Sequence, residues 1–245
     1  MSTLPILVDY DNLDRAITRA GPVALARTLA PLVPAGVLTV HDSINVRLYG
    51  GWRSQGAPTI AAQQLIPNIR ADCPTVLPIR TPHGVTKSLR LNVELADGPI
   101  GSTILLQETL ARNRGLRRFR ARSLTAHECT RPSNCGLNAF LHASHQTECQ
   151  EPGCSVRLAD LLVRDEQKMV DTLLVADVAE LALAQRSPHV VLVSSDTDMW
   201  PAVLLALRIG SNVIHIHTTA GWRTQGHLMG TLSTGLPGQY HQLSV

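Results

Sequence analysis

The chain has 245 residues, of which 44% are hydrophobic, 17% charged and only 3% aromatic, with a formal net charge of +3. That length and apolar content support one large core, or a domain carrying an insertion, and exclude a disordered or fibrous chain. The absence of a leader-like start or a long apolar run predicts a globular cytoplasmic protein with no membrane span, and so small a net charge leaves any attraction to nucleic acid to local patches.

In chain order, Leu4-Pro5-Ile6-Leu7-Val8 reads as a buried strand that runs into Asp9-Tyr10-Asp11-Asn12. Asp14–Leu32 reads as helix broken at Gly21-Pro22, Ser43–Tyr49 as a strand, Pro58–Ile69 as a helix and Cys73–Ile79 as a third strand. This β-α-β-α-β order predicts a three-layer α/β fold with a mostly parallel sheet. From about Thr81 the pattern changes. Ser88–Leu95 alternates polar and apolar like a half-exposed strand, Thr103–Arg112 reads as helix and Leu116–Leu124 as strand, so 81–158 is predicted to be an α+β insertion in a main domain of 1–80 and 159–245. Helical periodicity returns at 170, 173, 174, 178 and 181, followed by the strand Val190–Val193, a helix Trp200–Leu207 and the strand Asn212–His217.

The strand at 190–193 delivers Ser194-Ser195-Asp196-Thr197-Asp198, as the first strand delivers Asp9 and Asp11. Open α/β sheets build their sites at the C-terminal ends of strands, and carboxylates that converge there need a cation between them or a shared proton. The plainer alternative is that each Asp caps the helix after it. Asp171 falls in the first turn of its helix, whereas Asp177 lies inside the apolar stripe, where it needs a metal or a hydrogen-bond partner such as a backbone N–H or hydroxyl. Several hard carboxylate oxygens suit Mg²⁺ or Mn²⁺, which can activate water and polarise a phosphoryl oxygen.

Four of the five cysteines, Cys129, Cys135, Cys149 and Cys154, are spaced C-x5-C-x13-C-x4-C, with His127, His142 and His145 among them. Such a cluster predicts a structural Zn²⁺ site that folds the insertion, held by Cys alone or with His; disulfides and free thiols are the rival readings, and a reducing compartment disfavours the former. Arg118, Arg120 and Arg122 share one face of the predicted strand before it, a stripe suited to phosphates or merely to solvent.

Gly51-Trp52-Arg53-Ser54-Gln55-Gly56 and Gly221-Trp222-Arg223-Thr224-Gln225-Gly226 are nearly one hexapeptide, each coming after a predicted strand. Trp52, Arg53, Trp222 and Arg223 are therefore candidate RNA contacts at the carboxylate edge, or else each Trp is a lid over the core. His215 and His217 on one strand face read as packed rather than catalytic.

Together, Asp9 with Asn12, the Lys168-x-x-Asp171 helix start with Asp177 further along, and Ser194-x-Asp196-x-Asp198 with the helix, Gly210 and strand after it resemble the NYN domain of the PIN-like nuclease superfamily. The resemblance covers roughly 1–80 and 160–220. It implies a Rossmann-like sheet and a divalent-metal-dependent endoribonuclease acting on single-stranded or looped RNA, with Asp9, Asp171, Asp196 and Asp198 holding Mg²⁺ or Mn²⁺ and Asn12 orienting them. Asp9-Tyr10-Asp11-Asn12 also resembles the D-x-D start of haloacid-dehalogenase-like phosphatases, in which Asp9 would be nucleophile and Asp11 acid/base. The later acids lack that family's wider spacing. A non-catalytic RNA-binding module is the third reading, and a homo-oligomer or protein partner is left open.

Overall fold

The computed structural model describes residues 2–80, 84, 86–114, 147–148, 155, 163–184, 187–232 and 235–244, without the side chains of 15, 112–114 and 163–165. The chain forms two compact units, Met1–Leu110 with Gln167–Val245, and Ala111–Glu166. Its strands are β1 (Thr3–Asp9), β2 (Ser43–Tyr49), the short pair β3 (Arg53–Ser54) and β4 (Ala57–Pro58), β5 (Thr75–Arg80), β6 (Thr86–Leu95), β7 (Leu110–Arg114), β8 (Val163–Gln167), β9 (His189–Val193), β10 (Asn212–His217) and β11 (Tyr240–Ser244). Among the described residues the helices are α1 (Arg15–Arg19), α2 (Pro22–Leu29), α3 (Ala35–Thr39), α4 (Ile60–Asp72), α5 (Val170–Leu183), α6 (Trp200–Ile209) and α7 (Gly226–Met229).

The larger unit is built on a seven-stranded sheet in the order β11-β10-β9-β1-β2-β6-β5. Every neighbouring pair is parallel except β5 with β6. Its central strands are covered on both faces, which is why they are continuous apolar runs: Leu4, Ile6 and Val8 of β1 pack into one core with α2, α3 and α4, while Leu7 packs into the other with α5 and α6. The chain proceeds from β1 outward to β2 on one side, then returns to β9 and moves outward through β10 and β11 on the other. The order therefore reverses between β1 and β9, the point at which open α/β sheets leave a crevice at their strand ends.

Three expectations need correction. The strand at 88–95 is not part of the insertion: as β6 it lies in the main sheet, parallel to β2, and its alternation arises because Leu89, Leu91 and Val93 point into the core while the intervening side chains do not. The second unit accordingly begins at Ala111 and ends at Glu166 rather than spanning 81–158. No helix forms at 103–112, where the chain is irregular and then enters β7, paired with β8. The expected strand Leu116–Leu124 and its arginine stripe lie outside the described residues. Among the described residues, no helix is long and apolar enough to cross a membrane.

Candidate functional site

Asp9 closes β1 at the reversal point and is 1% exposed. Its Oδ2 accepts from Asn12 Nδ2 at 2.6 Å and, across the β1–β9 boundary, from Ser194 Oγ at 2.9 Å. Its Oδ1 is buried with no hydrogen-bond partner. Burial pushes the Asp9 carboxyl up from 3.8 to about 6; the Asn12 and Ser194 hydrogen bonds pull it back, and the charges of Asp171 and Asp11 add to the rise. Ser194 Oγ also accepts the Asp196 N–H at 3.0 Å, so one hydroxyl joins the ends of the two acidic strands.

Around this carboxylate stand the other predicted acids. Asp196 is half-buried and caps the short 3₁₀ turn Thr197–Met199, its Oδ1 accepting the N–H of exposed Asp198 at 2.9 Å. The cap is the plainer role that the sequence allowed for this acid. Asp171 occupies the first turn of α5, which is entered through Met169 at a left-handed φ of 61°, an uncommon conformation for a non-glycine residue. Burial raises its carboxyl above the ordinary range, with Asp196 and Asp198 adding to the rise. Asp11, also raised by burial, is held by the Gly51 N–H at 2.9 Å and by Gln167 Nε2. Gly50 allows this approach, since a Cβ there would lie 2.7 Å from the Trp52 ring and 3.0 Å from Asp11 Oδ2. Half-buried Lys168 donates its backbone N–H to Thr109 O at 3.0 Å.

Among the described residues, no three His, Cys, Asp or Glu side chains are grouped closely enough to hold a metal ion as they stand. The donor chemistry nevertheless fits a hard cation: Asp9 has a buried oxygen without a partner, and Asp171 carries the repulsion of Asp196 and Asp198.

Asp177 belongs to a different environment. It is 1% exposed and accepts from Arg47 Nε at 3.0 Å, Tyr49 Oη at 2.6 Å and the Ile100 N–H at 2.9 Å. Arg47 also pairs with Glu94 at 2.7 Å and donates to Gly98 O. Burial works against the Arg47 charge, but Tyr49, Glu94 and Asp177 outweigh it and hold the guanidinium protonated. The possible site role of Asp177 is therefore corrected to a structural one. The sequence signal missed was Arg47, a cation inside the buried strand Ser43–Tyr49 that had to find an acid. A cavity of about 560 Å³ beside this pair, lined by Asn45, Arg47 and Glu94, includes none of Asp9, Asp171, Asp196 or Asp198.

The twin hexapeptides diverge. Both leave the sheet at the Asp9 edge, after β2 and β10, as expected. Trp52 is 1% exposed, donates Nε1 to Leu48 O at 2.7 Å and lies 5.3 Å from the Tyr10 ring, so the stacking role expected for it is corrected to a core lid. Arg53 is half-buried, donates Nη2 to Gly56 O and has a buried Nε without a partner. Trp222 is 50% exposed and Arg223 is exposed.

Behind Trp222 runs a hydrogen-bonded chain. His215 Nε2 meets Ser194 O at 2.8 Å and His215 Nδ1 meets Tyr240 Oη at 2.8 Å; Tyr240 Oη meets Thr224 Oγ1 at 2.5 Å, and Thr224 Oγ1 meets His217 Nε2 at 3.2 Å. Burial and the neighbouring His217 lower His215 to about 4, and burial also lowers His217 although Gln242 favours its charged form. Neutral His215 must donate Nε2–H to the Ser194 carbonyl, so Tyr240 donates to Nδ1, Thr224 donates to Tyr240 and His217 donates to Thr224. Both histidines are packed, as their positions on one strand face predict.

Cys129, Cys135, Cys149, Cys154, Arg118, Arg120 and Arg122 lie outside the described residues. Set against known proteins, the chain matches no family model, no curated protein and no solved structure.

Proposed function

We propose that this chain is a divalent-metal-dependent endoribonuclease of the NYN type, active in the cytoplasm. The observation that carries the reading is Asp9: a buried carboxylate at the sheet's reversal point with one oxygen unpartnered, on which the charges of Asp171 and Asp11 act, while those of Asp196 and Asp198 act on Asp171. Asp9, Asp171 and Asp196, with Asp198 at the rim, would hold Mg²⁺ or Mn²⁺. Bound there, the ion would supply a water of lowered pKa and Lewis-acid polarisation of a phosphoryl oxygen. Asn12 and Ser194 fix Asp9 through Oδ2 and leave the buried Oδ1 without a partner, while Ser194 keeps the Asp196 turn in register with β1. The phosphatase alternative is weakened because Asp11, its would-be acid/base, is engaged by Gly51 and Gln167. The four clustered cysteines are proposed to hold a structural Zn²⁺, to be checked by metal analysis of the purified protein.

The deciding experiment incubates the protein with labelled RNA, labelled DNA and a phosphomonoester, in EDTA and in Mn²⁺. Mn²⁺-dependent internal cleavage of RNA is expected. Phosphomonoester hydrolysis alone would favour the phosphatase, and RNA binding without cleavage the non-catalytic module.

A further inference from the structure

We infer that the cleft between Trp222 and the Ser195–Thr197 turn seats one unpaired nucleobase of the substrate strand, stacked on the Trp222 indole beside the carboxylate cluster. This rests on the nuclease reading and adds the place where the site grips an unpaired base and the residue that does so.

The cleft has a volume of about 410 Å³, and its walls include Asn12, Asp196, Thr218, Thr219, Trp222 and Gln225. That is within the range of pockets that hold a small planar ligand. Asn12 and Asp196 belong to the proposed metal centre as well, so a group bound in the cleft lies directly beside it. The remaining polar walls are hydroxyls and amides, which can both donate to and accept from a base edge. Exposed Arg223, next to Trp222, suits the adjoining phosphate.

The aromatic wall is prebuilt. Trp222 N–H donates to Thr219 O at 3.1 Å, Thr224 N–H donates to Gln242 Oε1 at 2.9 Å, and Thr224 Oγ1 meets Tyr240 Oη at 2.5 Å. The edge strand β11 thus ties down the loop that leaves Trp222 half in solvent, whereas Trp52 in the same hexapeptide is packed away. An exposed indole on a loop already tied down spends less ordering entropy on stacking than one on a free loop. It also demands a base with a free face, which a paired and stacked duplex does not offer.

The test uses an Asp171→Asn background, which binds without cutting, and a fluorescein-labelled single-stranded RNA alongside the same sequence as a duplex. Adding Trp222→Ala is expected to weaken single-strand binding by about tenfold to a hundredfold, leave the salt dependence unchanged, and leave duplex binding as in the background protein. Trp222→Phe should retain most of the single-strand affinity, and melting curves of both variants verify the fold. Equal single-strand affinity with Trp222→Ala, or an equal loss for the duplex, overturns the inference while leaving Mn²⁺-dependent cleavage by the parent, and so the nuclease reading, intact. Parent protein that neither binds nor cuts RNA overturns both.

Discussion

Asp9 and Asp177 are both 1% exposed, both lie in the larger unit and both would be costly as isolated charges, yet their surroundings are opposite. Asp177 receives a guanidinium, a phenol and a backbone N–H. Asp9 receives an amide and a hydroxyl on one oxygen, nothing on the other, and faces further acids rather than a base. The difference separates a carboxylate that holds the fold together from one that the fold keeps at a cost, as functional sites commonly do. Trp52 and Trp222 repeat the contrast in aromatic form.

The strongest way to break this comparison is to remove the paired members. Asp177→Ala strips buried Arg47 of its buried acid, leaving only the more exposed Glu94, and leaves Tyr49 Oη and the Ile100 N–H without their acceptor, and should destabilise the protein by about 3 kcal/mol in denaturant melts. Trp52→Ala should cost a similar amount, roughly 3–5 kcal/mol, whereas Trp222→Ala should stay within about 0.5 kcal/mol of the parent. A reversed order would exchange the roles of the two tryptophans.

Asp9 should behave in the opposite sense. Its folded pKa of about 6 lies above its ordinary 3.8, so the folded state binds more protons in that interval and stability falls as pH rises through it. The contribution is neutral below both values and fully unfavourable above the higher one. In EDTA, Asp9→Asn should gain up to about 3 kcal/mol at pH 7 and nothing at pH 3; a variant less stable than the parent at pH 7 would assign Asp9 to the fold. The same substitution, and those of Asp171 and Asp196, should lower Mn²⁺-dependent RNA cleavage at least about a hundredfold with RNA binding nearly unchanged. Asp198→Asn, at the exposed rim, should lose less. Full activity in Asp196→Asn would remove the second strand end from the site.

Legibility in the sequence divides along the same line. Val190–Val193 and Leu4–Val8 are legible because a strand buried on both faces leaves an uninterrupted apolar run, and the acids are legible because they end those runs. The partners of Asp177 are not, since Arg47, Tyr49 and Ile100 come from distant segments and meet only after the sheet is assembled. The place of Ser88–Leu95 is hidden for a related reason: alternation reports one polar face, and it cannot report which strand lies alongside. The twin hexapeptides are chemically almost the same, and their fates are set by the elements downstream of each, α4 packed on the core in one case and an edge strand in the other.

Asp9 Oδ2 already takes two donated hydrogens, from Asn12 and Ser194, so a proton gained below about pH 6 has to settle on Oδ1. That is the atom left for a cation. Acid and metal would therefore compete for the same oxygen, so metal binding there is expected to weaken as the pH falls.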